Sequence, residues 1–411
     1  MDIEKTQVVI LGAGMAGLTC ALELERRGVD YRLLEASEQV GGRVATDECE
    51  GFLLDRGFQV LLSGYPELRR ILNYQTLKLR PIRSGAVIRQ DGRNLVLPNP
   101  LRDPQLAWQT WRSPVGTRAD KLRVAWLGLR SLLWREQHCF AQRQQTTREF
   151  LEQEGFSRAM IETFWRPFLG GVFLDDELAT GADLFRFLMP LFAWSSVVLP
   201  SGGMGQIPRQ IERRLNQERV VLGAEITSIE GKVCRDARGR AWQGDQLVVA
   251  LDGAGAGRLL GCSDPVYRGT HCSYFAAPAS PGGQGRLHLV ADREAPVHHW
   301  LVISDSVPGY APAGQSLISV SSQGRQCPSE EVLRGYFSEI YGAALVEQWR
   351  LLRQYSIPQA LPAFHSGQGM GNPSLGDGLW RCGDAHSYPS LNAAVASGRR
   401  VAELLGYGSV R

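Results

Sequence analysis

The chain is nearly without lysine. Among 45 basic residues only Lys5, Lys78, Lys121 and Lys232 are lysines, and none follows Lys232. Chemistry that needs an amine side chain in the later part of the sequence is therefore excluded. A net charge of +3 with no dense basic run excludes the electrostatic footprint of a nucleic-acid partner. The eight cysteines (Cys20, Cys49, Cys139, Cys234, Cys262, Cys272, Cys327 and Cys382) contain no C-x-x-C pair and no histidine at ligand spacing. They read as reduced thiols, neither a disulfide framework nor a metal site. No run approaches the roughly 18–20 apolar residues that span a bilayer. The first strand pattern begins about six residues from Met1, which is read as leaving no room for a signal or transit peptide. A cytoplasmic chain, able to touch a membrane at its periphery, is the expectation. What is present is globular: 411 residues, 44% hydrophobic and 21% charged, enough for two large cores or two interleaved domains.

The first 46 residues hold the most informative pattern. Apolar Val8 to Leu11 lead into Gly12, Gly14 and Gly17 at G-x-G-x-x-G spacing, a helical pattern runs from Ala16 to Arg27, and Tyr31 to Leu34 form a second apolar run ending at Glu35. The glycines permit a tight turn, close backbone approach to a pyrophosphate, and helix packing on the strand. A helix beginning near Gly14 turns free N–H groups and its positive end towards phosphates, and Glu35 is placed to accept hydrogen bonds from an adenosine ribose. Within eight positions come Gly41, Gly42 and Arg43. Adjacent glycines let the backbone pass close to a cofactor, and arginine suits phosphate recognition.

The E-x5-GGR sequel resembles the flavin-containing amine oxidase superfamily, which includes monoamine oxidases, protoporphyrinogen oxidases, and phytoene or carotenoid desaturases and isomerases. The resemblance implies FAD as cofactor, with adenosine on the first βαβ unit and Ala16 among its contacts. It puts Gly41, Gly42 and Arg43 beside the pyrophosphate and flavin. It also implies that Asp55 and Gly57 carry the backbone past the isoalloxazine ring, with Phe58 and Gln59 at the flavin face, and that Ile226 meets the adenine. The implied fold is α/β: a Rossmann-like FAD-binding domain of glutathione-reductase type (1–80, 196–261, 361–411) and an interleaved α+β substrate domain (81–195, 262–360).

The far end adds a second motif, GLWRCGDAHSYPSLNAAVASGRRVAELL. A strand ending at Arg381 or Cys382 meets Gly383-Asp384, then a helix starting near Leu391 that Ser390 can cap. Asp384 is positioned for ribityl hydroxyls, and the helix N-terminus, with Leu391, Asn392 and Ala393, for the flavin edge. This resembles the superfamily's G-D motif and N-G-A-x-x-S-G helix, with alanine in place of the customary first glycine. Cys382 abuts the motif and reads as a strand core residue.

Elsewhere, Asp91-Gly92 marks a hairpin. Helical stretches run from about Asp103 to Glu136, broken at Pro114 to Gly116, and from Thr147 to Phe173. A small meander turns at Glu230-Gly231 and Arg238-Gly239. HHWLVIS and QSLISVSS read as strands, and Ser329 to Leu345 as a helix. Gly253 to Gly257 lacks full G-x-G-x-x-G spacing and reads as a flexible strand-to-helix turn.

Hydride transfer from a C–H bond to flavin N5 is the chemistry that the resemblance implies, and no acid-base dyad or nucleophile motif is visible. Monoamine-oxidase-type members carry a late lysine, which this chain lacks, and an aromatic cage, for which Trp380 and Tyr388 are the nearby pair. Both departures point away from amines. The apolar helices KLRVAWLGLRSLLW and MIETFWRPFLGGVFL point to a greasy tunnel, and F-x-R-P-F with Gly170-Gly171 resembles the desaturase and protoporphyrinogen oxidase branch. The expectation is an FAD-dependent oxidoreductase that dehydrogenates or redox-isomerises a hydrophobic isoprenoid-, carotenoid- or tetrapyrrole-like molecule, with oxygen or a quinone as electron acceptor. The alternatives are a flavin amine or amino-acid oxidase and a non-catalytic FAD-binding assembly factor. His386, Gln59 and Tyr388 are the catalytic candidates. His298 and His299 alternate on a strand, so at most one faces a cavity. Leu122, Trp126, Leu129 and Leu133 share a helix face near Lys121, Arg123, Arg130 and Arg135, a pattern suited to a membrane surface.

Overall fold

The computed structural model describes residues 3–140, 144–262, 265–282, 284–368 and 371–406. Val8, Val9, Ile10 and Leu11 are apolar on both faces of their strand, the pattern of a strand covered on both sides, and all four are buried. Their strand, Ile3–Leu11, pairs parallel with Tyr31–Leu34 on one side and with Ala241–Val249 on the other. Val220–Val221 extends the sheet beyond Tyr31–Leu34. Ala241–Val249 is long enough for two further partners: its start pairs antiparallel with Val233–Asp236, and its end pairs parallel with Leu379–Arg381. N-terminal, central and C-terminal segments thus share one sheet. The carboxyl ends of its parallel strands open on one edge, where open α/β sheets bind ligands.

A second sheet has seven strands in the order Arg350–Pro362, Tyr267–Ala277, Ser316–Ser322, His299–Val302, Leu287–Val290, Ala86–Gln90 and Arg93–Leu97. The hairpin turn is where the sequence puts it: Asp91 and Gly92 both take positive φ (48° and 74°), as a two-residue type I′ turn needs. The meander turns at Gly231 and Gly239 likewise have positive φ. Buried Asp55 accepts hydrogen bonds from Thr46 Oγ1, the Met204 amide and Tyr310 O–H. Burial pushes its carboxyl up to about 6 against those three donors.

The helices depart from the sequence reading in places. Asp103 to Glu136 resolves into Pro104–Leu106, Ala107–Arg112 and Arg118–Ser131, with the break at Pro114 to Gly116 as expected and a Thr117/Asp120 capping box starting the last piece. Ala182–Trp194 is a helix that the pattern does not announce: ADLFRFLMPLFAW is apolar almost all round and contains Pro190, so periodicity is lost. The HHWLVIS strand ends at Val302, and Ile303–Ser306 turns helical. Gly253 to Gly257 form the first turns of a helix, Gly253–Leu260, whose N-cap Asp252 accepts from the Gly255 amide; they are ordered helix, which corrects the reading of a flexible turn. From Arg158 to Phe173 the chain is helical with a π-segment at Ile161–Trp165. Phe164 and Phe168, four residues apart on this helix, form a stacked pair with centroids 5.5 Å apart.

Candidate functional site

The two N-terminal glycine motifs form one cradle. Gly14 and Gly41 make a parallel β-bridge, and the Gly41 amide donates to the Ala13 carbonyl at 2.8 Å. Gly12 and Gly41 take φ of +98° and +120°, which side-chain-bearing residues avoid. A Cβ on Gly17 would meet the Gly12 carbonyl oxygen at 1.9 Å, so this glycine sets the contact of helix Met15–Arg26 with its loop and lies outside the cavity itself. Glu35 is pinned at the cradle's edge: Oε2 accepts from the Ala13 amide at 2.7 Å, and Oε1 from the Ser37 amide and hydroxyl.

A cavity of about 1200 Å³ opens from this cradle. Gly12, Gly14, Ala16 and Glu35 line it, as do Gly41, Gly42 and Arg43. Gly57, Phe58, Gln59 and Ile226 follow, and from the far end of the chain Gly383, Asp384 and Leu391. The structure therefore brings together motifs separated by more than 300 residues, through the strand Leu379–Arg381 lying beside Ala241–Val249. Three details differ from expectation. Arg43 Nη2 binds Asp384 Oδ1, and Nη1 donates to the Ala360 carbonyl at 2.9 Å; the arginine is committed to an ion pair and is no free phosphate fork, while the second oxygen of Asp384 stays outside that hydrogen bond. The Asp384 carboxylate beside it raises the Arg43 pKa despite burial. Asn392 and Ala393 are fully buried and do not line the cavity; Asn392 accepts from the Glu67 amide and donates to Tyr388 O–H, while Leu391 and Ala394 face the space.

Of the catalytic candidates, only Gln59 lines the cavity, its Nε2 donating to the Arg43 and Arg56 carbonyls. Tyr388 is core: it stacks on Phe140 and donates to Glu136 Oε1 at 2.7 Å. Its supposed cage partner Trp380 donates to Gln246 instead. His386 is absent from the lining; burial and nearby Arg381 pull its imidazole down to about 4. Cys382 is buried in the core, where burial pushes its thiol up to about 12. Sequence reasoning missed Asp252 and Gly255, which line the cradle from the carboxyl end of Ala241–Val249. The signal was a second apolar strand followed by an N-cap aspartate.

Opposite the cradle, the cavity enters a chamber of apolar and aromatic side chains: Met160, Phe164, Phe168, Leu188, Met189 and Phe192. Its volume exceeds the roughly 300–1,000 Å³ usual for one small ligand, leaving room for a cofactor and a substrate. The cradle fits FAD on the chain's own features. Among the described residues no side chain caps the helix at Gly14, nothing stands within 4 Å of a Cβ there, and the approach is backbone, so the first-turn amides are open to a pyrophosphate.

The chain was compared with known proteins. It is similar to protoporphyrinogen oxidase 2 of Arabidopsis thaliana, 25% identical over 177 residues, 41% of this chain and 33% of that protein. It is similar to an L-amino-acid oxidase of Notechis scutatus scutatus, 49% identical over 67 residues (16% and 12%), and to carotenoid 3,4-desaturase of Haloarcula japonica, 41% identical over 56 residues (14% and 11%). The chain thus spans a third or less of the length of these relatives. Among solved structures, a putrescine oxidase variant superposes with a TM-score of 0.71 at 14% identity, covering 98% of this chain and 99% of that one, a likeness of fold. The model of the family described as flavin containing amine oxidoreductase matches residues 15–405; the chain belongs to that family, and its cofactor is FAD.

Proposed function

We propose that the protein is an FAD-dependent oxidoreductase that dehydrogenates, or redox-isomerises, a hydrophobic isoprenoid-, carotenoid- or tetrapyrrole-like molecule. The observation that carries this reading is the continuity of one cavity from the glycine cradle to the aromatic chamber. FAD bound in the cradle supplies a two-electron acceptor. Gly12, Gly14 and Gly41 would hold its pyrophosphate, Glu35 its ribose, and Phe58, Gln59 and Leu391 its ring end. The chamber excludes water and orients an apolar substrate by shape. Lys121, the lysine that lines the cavity among the described residues, donates to the Trp111 and Ser113 carbonyls, which tie its ammonium to the backbone. The names of the Arabidopsis and Haloarcula relatives support the same substrate classes; those of the amino-acid and putrescine oxidases support the alternative.

Anaerobic mixing with protoporphyrinogen IX, phytoene, L-leucine and putrescine separates the two. Bleaching of the flavin by either of the first pair is the expected result. Bleaching by L-leucine or putrescine, with peroxide formed in air, overturns it in favour of amine or amino-acid oxidation. If none bleaches and neither oxygen nor benzoquinone reoxidises the photoreduced flavin, the chain is a non-catalytic flavoprotein.

A membrane surface as the source of substrate is supported by the outer face of helix Arg118–Ser131 and the turn after it. Leu122, Trp126, Leu129 and Leu133 are all exposed there, with Trp108 exposed on a preceding helix under the Arg112 guanidinium. Lys121 turns inward, which corrects its counting as a surface charge, but Arg112, Arg118 and Arg135 are exposed. Thr110, Val124 and Ala125 of the same helices line the cavity, so the apolar face lies directly over the chamber. Among the described residues no helix is long and apolar enough to cross a membrane; the contact proposed is an interfacial one, made by the exposed apolar side chains. The intact protein is expected to float with anionic liposomes and Trp126→Glu to stay behind; an intact protein that does not float refutes the contact.

A further inference from the structure

Two adjacent histidines stand where the chamber meets the second sheet. His299 lines the cavity, edge-on to Phe58 with centroids 4.8 Å apart. Its Nδ1 lies 3.2 Å from His298 Nδ1, and His298 Nε2 lies 3.1 Å from Asp176 Oδ1. His299 Nε2 is buried and has no hydrogen-bond partner among the described residues. Asp176 keeps about a third of its side chain exposed (36%), while His298 is almost fully covered. The three groups thus make a file from the cavity wall to the surface.

With both rings neutral, the protons in this file follow from its outer end. Burial disfavours the Asp176 charge, but the His298 ring and Arg166 hold its carboxyl below the usual range, so it is a pure acceptor. His298 Nε2 must then carry the hydrogen. In a neutral ring that leaves His298 Nδ1 as a lone pair, and the hydrogen between the two Nδ1 atoms belongs to His299. The His299 tautomer follows: Nδ1 protonated, Nε2 bare. Burial also draws the His299 pKa well below its ordinary value, which keeps the ring neutral. A buried, unpartnered lone pair is costly in a protein core unless something meets it.

The neighbouring helix is cut to fit. A Cβ on Gly170 would lie 2.5 Å from Asp176 Oδ1 and 3.1 Å from His298 Nε2, and one on Gly171 would lie 3.2 Å from His299 Nδ1. The glycine pair is therefore where the helix must lack side chains for the file to exist.

We propose that His299 is the proton acceptor of the reaction and that Asp176, His298 and His299 form a proton path between cavity and surface, a role that rests on the dehydrogenation reading above. A two-electron dehydrogenation removes one hydrogen as hydride, its electron pair going to FAD, and the hydrogen of the adjacent atom as a proton, leaving a new double bond. That proton binds His299 Nε2. The Nδ1 hydrogen of His299 passes to His298 Nδ1, and the Nε2 hydrogen of His298 passes to Asp176 and on to water, so one proton enters the file and one leaves. Reduction of oxygen or a quinone to peroxide or quinol takes up hydride plus one proton, and the same file run inward supplies that proton and restores the starting tautomers.

The test uses holoenzyme labelled with ¹⁵N-histidine. Imidazole nitrogen shifts, assigned by the loss of signals in His299→Gln and His298→Gln, should show protonated Nδ1 and bare Nε2 at His299, and protonated Nε2 at His298. A bare Nδ1 at His299 overturns the path whatever the activity. In anaerobic mixing with protoporphyrinogen IX and phytoene, His299→Gln should slow flavin reduction about 100-fold or more, the usual worth of a general base, with bound FAD per chain unchanged. His298→Gln and Asp176→Leu, which leave the cavity wall intact, should slow it less and change the solvent isotope effect. An unchanged rate in His299→Gln also overturns the proposal. If neither compound reduces the wild-type flavin, the dehydrogenation reading fails, and the tautomers still decide the path.

Discussion

Gly17→Ala is expected to disrupt the nucleotide end of the fold, whereas Gly14→Ala, three residues earlier, should leave the fold intact and lose cofactor. A Cβ on Gly17 would stand 1.9 Å from the Gly12 carbonyl oxygen and 3.2 Å from the Ala250 Cβ. The oxygen is backbone and cannot rotate away, so the helix would have to lift from the strand along its buried face, Leu18, Ala21 and Leu22. Overpacking of this kind costs about 3 kcal/mol or more, the upper part of its usual range. At Gly14 the space for a Cβ is open and the backbone is ordinary, φ −70°. Its methyl group would intrude only on a phosphate resting at the helix start, and FAD affinity should fall roughly tenfold or more, about 1.4 kcal/mol. Gly398→Ala extends the comparison to the other end of the chain, because its Cβ would lie 2.1 Å from the Ala16 carbonyl oxygen in the crossing helix. Denaturant unfolding of the apoprotein and FAD titration read the two effects separately. Wild-type unfolding by Gly17→Ala, or wild-type FAD affinity in Gly14→Ala, contradicts the division of labour between these glycines.

Why the sequence reveals some of this site and hides the rest follows from how far each constraint reaches along the chain. Gly12, Gly41 and the Asp91-Gly92 turn are legible because a positive φ is a local demand that glycine, asparagine and aspartate meet. The C-terminal strand, loop and helix were legible for the same reason, down to the Ser390 cap on the Ala393 amide. The rotation of that helix was not. Which of Leu391, Asn392, Ala393 and Ala394 meet the cavity depends on its docking against Met15–Arg26 at Gly398, more than 370 residues away in sequence. Tyr388 looked like a site aromatic from its neighbours in sequence, and its partners in space, Glu136, Phe140 and Phe187, made it core. Alternation along the strand allowed at most one of His298 and His299 to face a cavity, and His299 is the one that does. It could not foretell Asp176, which arrives from the end of a glycine-bearing helix more than 120 residues earlier. Helix Ala182–Trp194 escaped notice because a segment buried on nearly every side has no polar face to set its period.

Arg43→Met should weaken FAD binding and destabilise the fold together, and a second substitution should repair only the fold. The side chain of Asp384 is 9% exposed and that of Arg43 37%, the arginine's exposed part lying on the cavity. With the guanidinium gone, a nearly buried carboxylate keeps no ionic partner among the described residues, a loss that costs about 3–5 kcal/mol when one member of a buried pair is removed. Arg43→Met/Asp384→Leu removes both charges at similar volume, and replacement of a buried pair by apolar side chains is often neutral for stability. Its unfolding midpoint should return close to wild type. Its FAD affinity should not, because the pair also ties the Gly41-Gly42 loop to the Gly383 loop, through Arg43 Nη2 on Asp384 and Nη1 on the Ala360 carbonyl. Without that tie the two halves of the cavity wall are no longer held at one separation before the cofactor enters, and the ordering cost passes to binding. A double variant that binds FAD as wild type does would mean that the glycine cradle alone sets affinity. A single Arg43→Met variant as stable as the double variant at neutral pH would mean that Asp384 finds another partner once the arginine is removed.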